Sequence, residues 1–514
     1  MTPLVLDLSS PKGIVVALLP EIVLSVWALV LMLVAAWRHG EDADQRRVGQ
    51  LTVVALLSAM LALWWLWSRG ARPDGLPQMI ALDTFRYAAG TVMLLGAIGA
   101  VLLSLGYLGR ERVWLPEYYV LLLFATVGML LMGAAADLLV VFLGLETMSV
   151  SVYVLAGIRR SSPFSAEAAL KYFLLGAFAS GFLLYGIALL YGVTGTTNLT
   201  AMALQLHTSP NLVADHVPML VLGVGLLIIG FGFKVAAVPF HMWAPDVYDG
   251  APTPVTGFMA AAVKAAGFAA FLRVFMTALG DAREIWMPAL WWLAAITMVG
   301  GNLVALAQRK VKRMLAYSSI GHAGYLLVAV TAGTPAGAAA FLFYALAYTL
   351  MTVGSFGVVG VLGADGERDL EIDDLAGLAR RKPWLALAMA IFMLALLGFP
   401  GTAGFIGKWT ILLAAVGAGQ HTLAVVLVAA SVISAGYYLP VIMAMYMKEP
   451  ETPRQEAVGT GLTLGAAARS VLAVAAILTL LFGVWPNWLL EASKTGGRSL
   501  REPARSTMTL HGSP

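Results

Sequence analysis

KVAAVPFHMWAPDVYDGAPTPVTGFMAAAVK, residues 234–264, begins and ends on a lysine, and apolar sequence continues beyond both ends. Upstream lies LVLGVGLLIIGFGF (220–233), and the downstream run continues through AAGFAAFL (265–272). A run of about 20 apolar residues is what an α-helix needs to cross the hydrocarbon core of a bilayer. The stretch therefore reads as two membrane helices joined by a short loop, with Lys234 and Lys264 inside the helices. Four prolines interrupt it, at 239, 245, 252 and 254. Two readings fit His241, Asp246 and Asp249. In one they end helices or anchor at the interface beside Trp243, and in the other they belong to a polar path.

The same anomaly recurs elsewhere. Glu146 sits in DLLVVFLGLETMSVSVYVLAG (137–157), Lys171 in ALKYFLLGAFASGFLLYGIALL (169–190), and Lys408 in AGFIGKWTILLAAVGAG (403–419). An ionisable group placed mid-bilayer costs roughly 3 kcal/mol on insertion scales, so the five together oppose folding by roughly 15 kcal/mol. Stability does not explain them. They point to a charge-bearing path across the membrane.

Composition agrees with that setting. The chain of 514 residues is 60% hydrophobic and 12% charged, with mean hydropathy +0.85. The absence of cysteine excludes disulfides and cysteine-held zinc or iron–sulfur clusters. A pI near 9.1 does not signal nucleic-acid binding, because the basic residues fall in short loops between apolar runs. The runs predict an all-α polytopic membrane protein of fourteen helices. Their ranges are 14–37, 50–68, 82–107, 117–134, 136–157, 165–192, 217–242, 253–277, 287–306, 312–332, 336–363, 384–418 (broken), 422–447 and 466–490. The first run reads as a retained helix rather than a signal peptide.

Loop charge sets an orientation. On alternate loops, one side carries Arg38, Arg46, Arg47, Arg110, Arg112, Arg159, Arg160, Arg309, Lys310, Lys312, Arg313, Arg368, Arg380, Arg381, Lys382, Lys448, Arg454 and Arg469. The other carries Lys12, Arg69, Arg72 and Arg283 before a tail with Lys494, Arg498, Arg501 and Arg505. The positive-inside rule then puts the N-terminus outside, and fourteen spans return the C-terminus to the same outer side.

The chain also repeats itself. Gly230-Phe231-Gly232-Phe233-Lys234 and Gly404-Phe405-Ile406-Gly407-Lys408 share the pattern G-F-x-x-K. Each lies beside a helix break, at Pro239 in one case and at Gly398-Phe399-Pro400-Gly401 in the other. Matching interrupted helices in two halves are a sequence signature of a transport site. The copies lie on the seventh and twelfth predicted helices, and this odd offset of five inverts one half relative to the other.

With these residues in place, a resemblance is clear. FKVAAVPFHMWAPDVYDGAPTPVTGF (233–258), GLETMSVSVYVLAG (144–157), QRKVKRMLAYSSIGHAGYLL (308–327) and GFPGTAGFIGKW (398–409) resemble subunit N of bacterial NADH:quinone oxidoreductase, respiratory complex I. This subunit is called subunit 2 in mitochondria. The resemblance covers about 116–447 and extends over the rest of the chain. Subunits M and L and Mrp-type sodium/proton antiporters share the lysine pattern. They carry a Leu-Pro-Asp-Ala type sequence where this chain has DVYDGAPTP, and subunit M has glutamate at the place of Lys408. Gly401 departs from the family, in which many members have a second proline there.

The resemblance implies two inverted five-helix bundles, helices 4–8 and 9–13, each with a discontinuous helix. It implies N-terminal helices 1–3 in 1–115, a proton-translocating core in 116–449, a loop and helix 14 in 450–490, and a basic tail in 491–514. Glu146 and Lys234 match the charge pair of the first bundle, Lys171 the helix-6 lysine, Lys264 the central lysine, and Lys408 the exit-side lysine. His322 matches a polar residue between the halves. It reads equally as a relay or as a buried histidine bonded to serine or tyrosine. The resemblance further implies partner membrane subunits, with NADH, FMN, iron–sulfur clusters and quinone all in other subunits. No cofactor, metal or redox site is expected in this chain.

Desolvation weakens an amine's hold on its proton, and a neighbouring carboxylate restores it, so a row of buried lysines can store and pass protons. The chain shows no dinucleotide fingerprint and no phosphate-binding loop. The reading is a proton-translocating subunit whose energy comes from its partners. An Mrp-type antiporter driven by an ion gradient, a membrane-bound hydrogenase subunit, and a plain membrane scaffold are the alternatives. DVYDGAPTP opposes the antiporter, and the intramembrane charges oppose the scaffold.

Overall fold

Apolar runs of this length satisfy their backbone hydrogen bonds in lipid only by coiling, and the chain does so throughout. The computed structural model describes residues 3–37, 42–75, 78–113, 115–209, 215–363, 370–460 and 464–500. Arg38, Arg368, Arg501 and Arg505 lie outside the described residues, as does most of the tail 491–514. The helices are α1 Pro11–Ala17, α2 Leu19–Trp37, α3 Asp42–Ser68, α4 Thr84–Arg110, α5 Glu117–Ala134, α6 Leu138–Ala156, α7 Pro163–Thr194, α8 Leu199–Thr208 and α9 Val217–Lys234. They continue with α10 Ala244–Gly250, α11 Thr253–Ala278, α12 Arg283–Leu306, α13 Val311–Ala332, α14 Pro335–Leu362, α15 Pro383–Leu397, α16 Ala403–Gly417, α17 His421–Met447, α18 Ala466–Val484 and α19 Asn487–Ser499. Two π-helical turns, Met259–Val263 and Val274–Ala278, lie within α11. Short turns at Asp373–Leu375, Leu378–Arg381 and Pro453–Ala457 belong to the loops. A two-residue parallel pair, Val5–Leu6 with Arg72–Pro73, is the one named sheet among the described residues.

Thirteen of the helices are long and apolar enough to cross a membrane. The helices α15 and α16 are shorter and face each other across residues 398–402. This is the expected break. The connection between α5 and α6 is as short as the runs suggested, only residues 135–137, with the Asp137 carboxylate capping α6 through the Leu139 amide at 2.8 Å. The helix expected over 217–242 ends early, at Lys234. Ala236 takes the left-handed region at φ 59°, and the chain turns twice before α10. A residue carrying a Cβ rarely adopts that conformation, so apolar periodicity gives no warning of it.

Layering follows burial. The windows of α11 and α13 are 100% and 94% enclosed by protein, whereas α2 and α18 are 28% enclosed and present apolar faces outward. Two ion pairs missed at the sequence level bind the bundle. Arg86 meets Glu21 at 2.9 Å with both groups buried. Arg273, at the end of the Lys264-bearing segment of α11, grips Asp83 at 2.6 Å and the Gly133 carbonyl at 3.1 Å. Each ties an interior helix to a neighbour at a fixed height.

Candidate functional site

Lys234 is the last residue of α9 and is 4% exposed. Its Nζ donates to Ser149 Oγ of α6 at 2.8 Å and to the Tyr172 hydroxyl of α7 at 3.4 Å. It also lies 5.8 Å and 5.4 Å from the ring centroids of Tyr153 and Tyr172. Glu146 stands one turn before Ser149 on α6 and accepts a hydrogen bond from Ser180. The carboxylate is near enough to act on Lys234 electrostatically, but no ion pair within 4.0 Å joins the two among the described residues. The two residues expected as a charge pair are therefore neighbours with separate hydrogen-bond partners, Ser149 for Lys234 and Ser180 for Glu146.

Lys264 lies at the centre of α11, buried on all sides. Its Nζ donates to the Ser319 carbonyl at 2.6 Å and meets the Ser319 hydroxyl, with Tyr348 at 5.9 Å. A Cβ on Gly267, one turn along α11, would touch the Lys234 side chain at 3.5 Å, so the first two lysines flank the same contact between α9 and α11.

A polar cluster on α12, α13, α14 and α17 leads onward. The adjacent Ser318 shares a hydrogen bond with Tyr438, whose hydroxyl lies 3.0 Å from His322 Nε2. His322 Nδ1 lies 2.5 Å from the Tyr344 hydroxyl. The Tyr437 hydroxyl donates to Asn302 at 2.7 Å, and Asn302 donates to the Tyr325 hydroxyl at 3.3 Å. Tyr325 is the ring under Lys408, at 4.6 Å. His322 is therefore buried between two tyrosines and within electrostatic reach of both Lys264 and Lys408.

Lys408 lies in the second turn of α16. Its Nζ donates to the Leu397 carbonyl at 2.9 Å and to Ser431 Oγ at 2.8 Å. Leu397 ends α15, so the break frees the carbonyl that receives the lysine. Gly398 and Gly401 turn the chain at φ 89° and 87°, and Pro400 lies between them. Proline is locked near −65°, so this break has no room for the second proline common among relatives. Thr402 then caps α16 through the Phe405 amide.

Lys171 departs from expectation. Its side chain is 40% exposed and pairs with Asp246 and Glu167, each at 2.7 Å. A long lysine stem carries its amine to the edge, which position in an apolar run does not reveal. Asp246 also receives Arg313 at 3.1 Å, and Asp249 lies 3.8 Å from both Arg313 and Lys310. Burial pushes the Asp246 carboxyl up, but hydrogen bonds from Lys171 and Arg313 outweigh it and hold the carboxyl below its usual range. His241 stands apart from the lysine row. Among the described residues its buried Nδ1 has no hydrogen-bond partner. Pro239 begins a tight segment braced by Val238 N–H donating to Thr297 at 2.9 Å. The serine and tyrosine partners were not legible in advance, since such residues occur throughout apolar helices. Among the described residues, no group of three or more His, Asp and Glu side chains is placed to hold a metal ion.

A many-helix membrane bundle with broken helices and buried lysines beside the breaks defines an antiporter-like membrane subunit. The family described as "NADH:quinone oxidoreductase/Mrp antiporter, TM" matches residues 135–434. NADH-quinone oxidoreductase subunit N of Gemmatimonas aurantiaca is 46% identical over 502 residues, covering 95% of this chain and 94% of that protein. The subunit N of Trichlorobacter lovleyi is 45% identical over 474 residues, covering 92% and 95%. A chain in the structure of respiratory complex I from Thermus thermophilus with bound aureothin is 37% identical, with TM-score 0.77, covering 93% of this chain and 100% of that one. A chain of the Mrp complex from Dietzia sp. shares the fold at TM-score 0.81 and 23% identity, covering 96% and 99%. The chain belongs to the subunit N family of NADH-quinone oxidoreductase and is an antiporter-like membrane subunit among the other membrane subunits of complex I.

Proposed function

We propose that protons move through this chain along the row Glu146, Lys234, Lys264, His322 and Lys408, driven by NADH oxidation and quinone reduction in partner subunits. One observation carries the reading. Each of the three buried lysines meets a serine hydroxyl, Ser149, Ser319 or Ser431, and none meets a carboxylate within 4.0 Å among the described residues. A hydroxyl both donates and accepts, so it satisfies an ammonium and a neutral amine alike. A carboxylate would favour the ammonium alone. Lys171 belongs to the ion-pair cluster at the loop end of α7 rather than to the row.

In this reading the chain is a non-redox subunit of the bacterial inner membrane, with both termini periplasmic. Its core at 116–449 holds two inverted bundles. The support is positional: the interrupted crossing is fourth in each set of five, α9 with α10 in the first and α15 with α16 in the second. Lys234 precedes its break and Lys408 follows its own.

The test is replacement of Lys408 in the assembled complex. Lys408→Met keeps length and apolar packing but cannot ionise, and Lys408→Arg keeps its proton at any physiological pH. Both should lose proton pumping in membrane vesicles while assembly persists. Pumping at the native level by the methionine variant would make Lys408 a packing residue.

A further inference from the structure

A cavity of about 300 Å³ opens at the loop end of α7, lined by Arg159, Glu167, Ala168, Asp246, Asp249 and Arg313 among others. Beyond it, Tyr172 and Trp243 stack face to face, with centroids 4.2 Å apart and planes 7° from parallel. Both rings are buried, and the Trp243 indole donates to the Phe233 carbonyl at 3.0 Å, beside Lys234. Tyr172 lies one turn past Ala168 on α7, and Trp243 stands one turn before Asp246 at the start of α10. The stack is therefore one helical turn inward from the cavity on both elements, and its far side touches the Lys234 amine through the Tyr172 hydroxyl.

Asp246 holds this arrangement from two directions. It pairs with Lys171, the residue next to Tyr172, at 2.7 Å, and with Arg313, the foot of α13, at 3.1 Å. It thus ties the break segment of the first half to the second half. The geometry points to a barrier: the Tyr172–Trp243 stack separates the cavity from Lys234, and Asp246 is the positioning residue that sets it through Lys171 and Arg313. This rests on Lys234 being a proton-carrying group. Loss of either ion pair frees α10 to move Trp243 off Tyr172, and water from the cavity then reaches Lys234.

The chain contains no cysteine, so a single introduced thiol is the one labelling site in this subunit. In membrane vesicles holding the whole complex, Phe164→Cys, at an exposed position lining the cavity, reports on the cavity and Ser149→Cys on the far side of the stack. A small membrane-impermeant methanethiosulfonate, with modification of this subunit read by mass spectrometry, should label Phe164→Cys from one membrane face and leave Ser149→Cys unmodified. Adding Trp243→Ala, or Tyr172→Leu if that variant does not assemble, should raise Ser149→Cys labelling by roughly tenfold or more. Asp246→Asn should raise it in the same direction with both rings intact. Labelling of Ser149→Cys as fast as Phe164→Cys in otherwise native protein overturns the barrier, as does no change on opening the stack. No change with Asp246→Asn removes Asp246 from the device. Labelling does not require pumping, so failure of the lysine row would appear in the vesicle assay and not here.

Discussion

A lysine beside an aspartate keeps its proton, whereas one beside a serine is served in either state, and this chain places serine at all three buried amines. Charge inside an apolar run is expensive enough to stand out, so Lys234, Lys264 and Lys408 were legible from sequence alone. Their partners were not, because serine and tyrosine sit in membrane helices at little cost. Lys171 misleads for the opposite reason: its flexible stem reaches Asp246 and Glu167, and its Cα position says nothing of where the amine ends. The serine argument makes a prediction that simple hydrogen-bond satisfaction does not. Ser431→Asp puts a carboxylate beside Lys408, where an opposite charge makes the proton roughly ten- to a thousandfold harder to release. Pumping should fall sharply in an assembled complex, and further than with Ser431→Ala, which only removes one acceptor. Equal or better pumping with aspartate, measured in vesicles at matched NADH oxidation, would show that Ser431 merely fills a bonding need.

Helix lengths follow the apolar runs closely because lipid leaves the backbone no other solution, and the second break was readable in Gly398-Phe399-Pro400-Gly401. The first break was readable at Pro239, inside the observed segment 235–243, but the helix before it was extended too far, because its end depends on Ala236 at φ 59°, a conformation no residue preference announces. At the second break the two glycines near α16 do different work. Gly401 needs its positive φ but has open space where a Cβ would be. Gly404 lies so close to α15 that a Cβ would fall 1.8 Å from the Ala395 carbonyl. Gly401→Ala should therefore carry only a strain of about 1–2 kcal/mol. Gly404→Ala must part the two half-helices, and Gly401→Pro is incompatible with φ 87° altogether. The expected order of assembled, thermally stable complex after detergent extraction is native, Gly401→Ala, then the other two. Gly404→Ala as stable as Gly401→Ala would mean that the half-helices do not touch as described.

Orientation belongs to the whole molecule, because no single loop decides it. The basic loops converge: Arg110 reaches the Gly360 and Val361 carbonyls, Lys312 the Ala251 carbonyl, and Arg454 the Asp374 carboxylate. These contacts join loops that follow α4, α10, α14 and α17, so the arginine- and lysine-rich connections occupy one end of the bundle. Such loops resist translocation, and that end should face the cytoplasm. The opposite end holds the start of α4 and α14, where Phe85 N–H donates to Ser499 of α19 at 3.0 Å and a Cβ on Gly497 would press on the Pro335 carbonyl. The terminal helix is therefore pinned at the same end as the N-terminal strand, which pairs with Arg72 before α4. Residues 5–6 and the end of α19 therefore lie at one end of the bundle whichever way it is inserted. Reporter fusions after residues 160 and 382 should read cytoplasmic, and one after residue 205, in α8, periplasmic. A periplasmic signal at 382 with a cytoplasmic one at 160 would break the bundle's single polar end. Reversal of all three would keep the fold and invert its placement in the membrane.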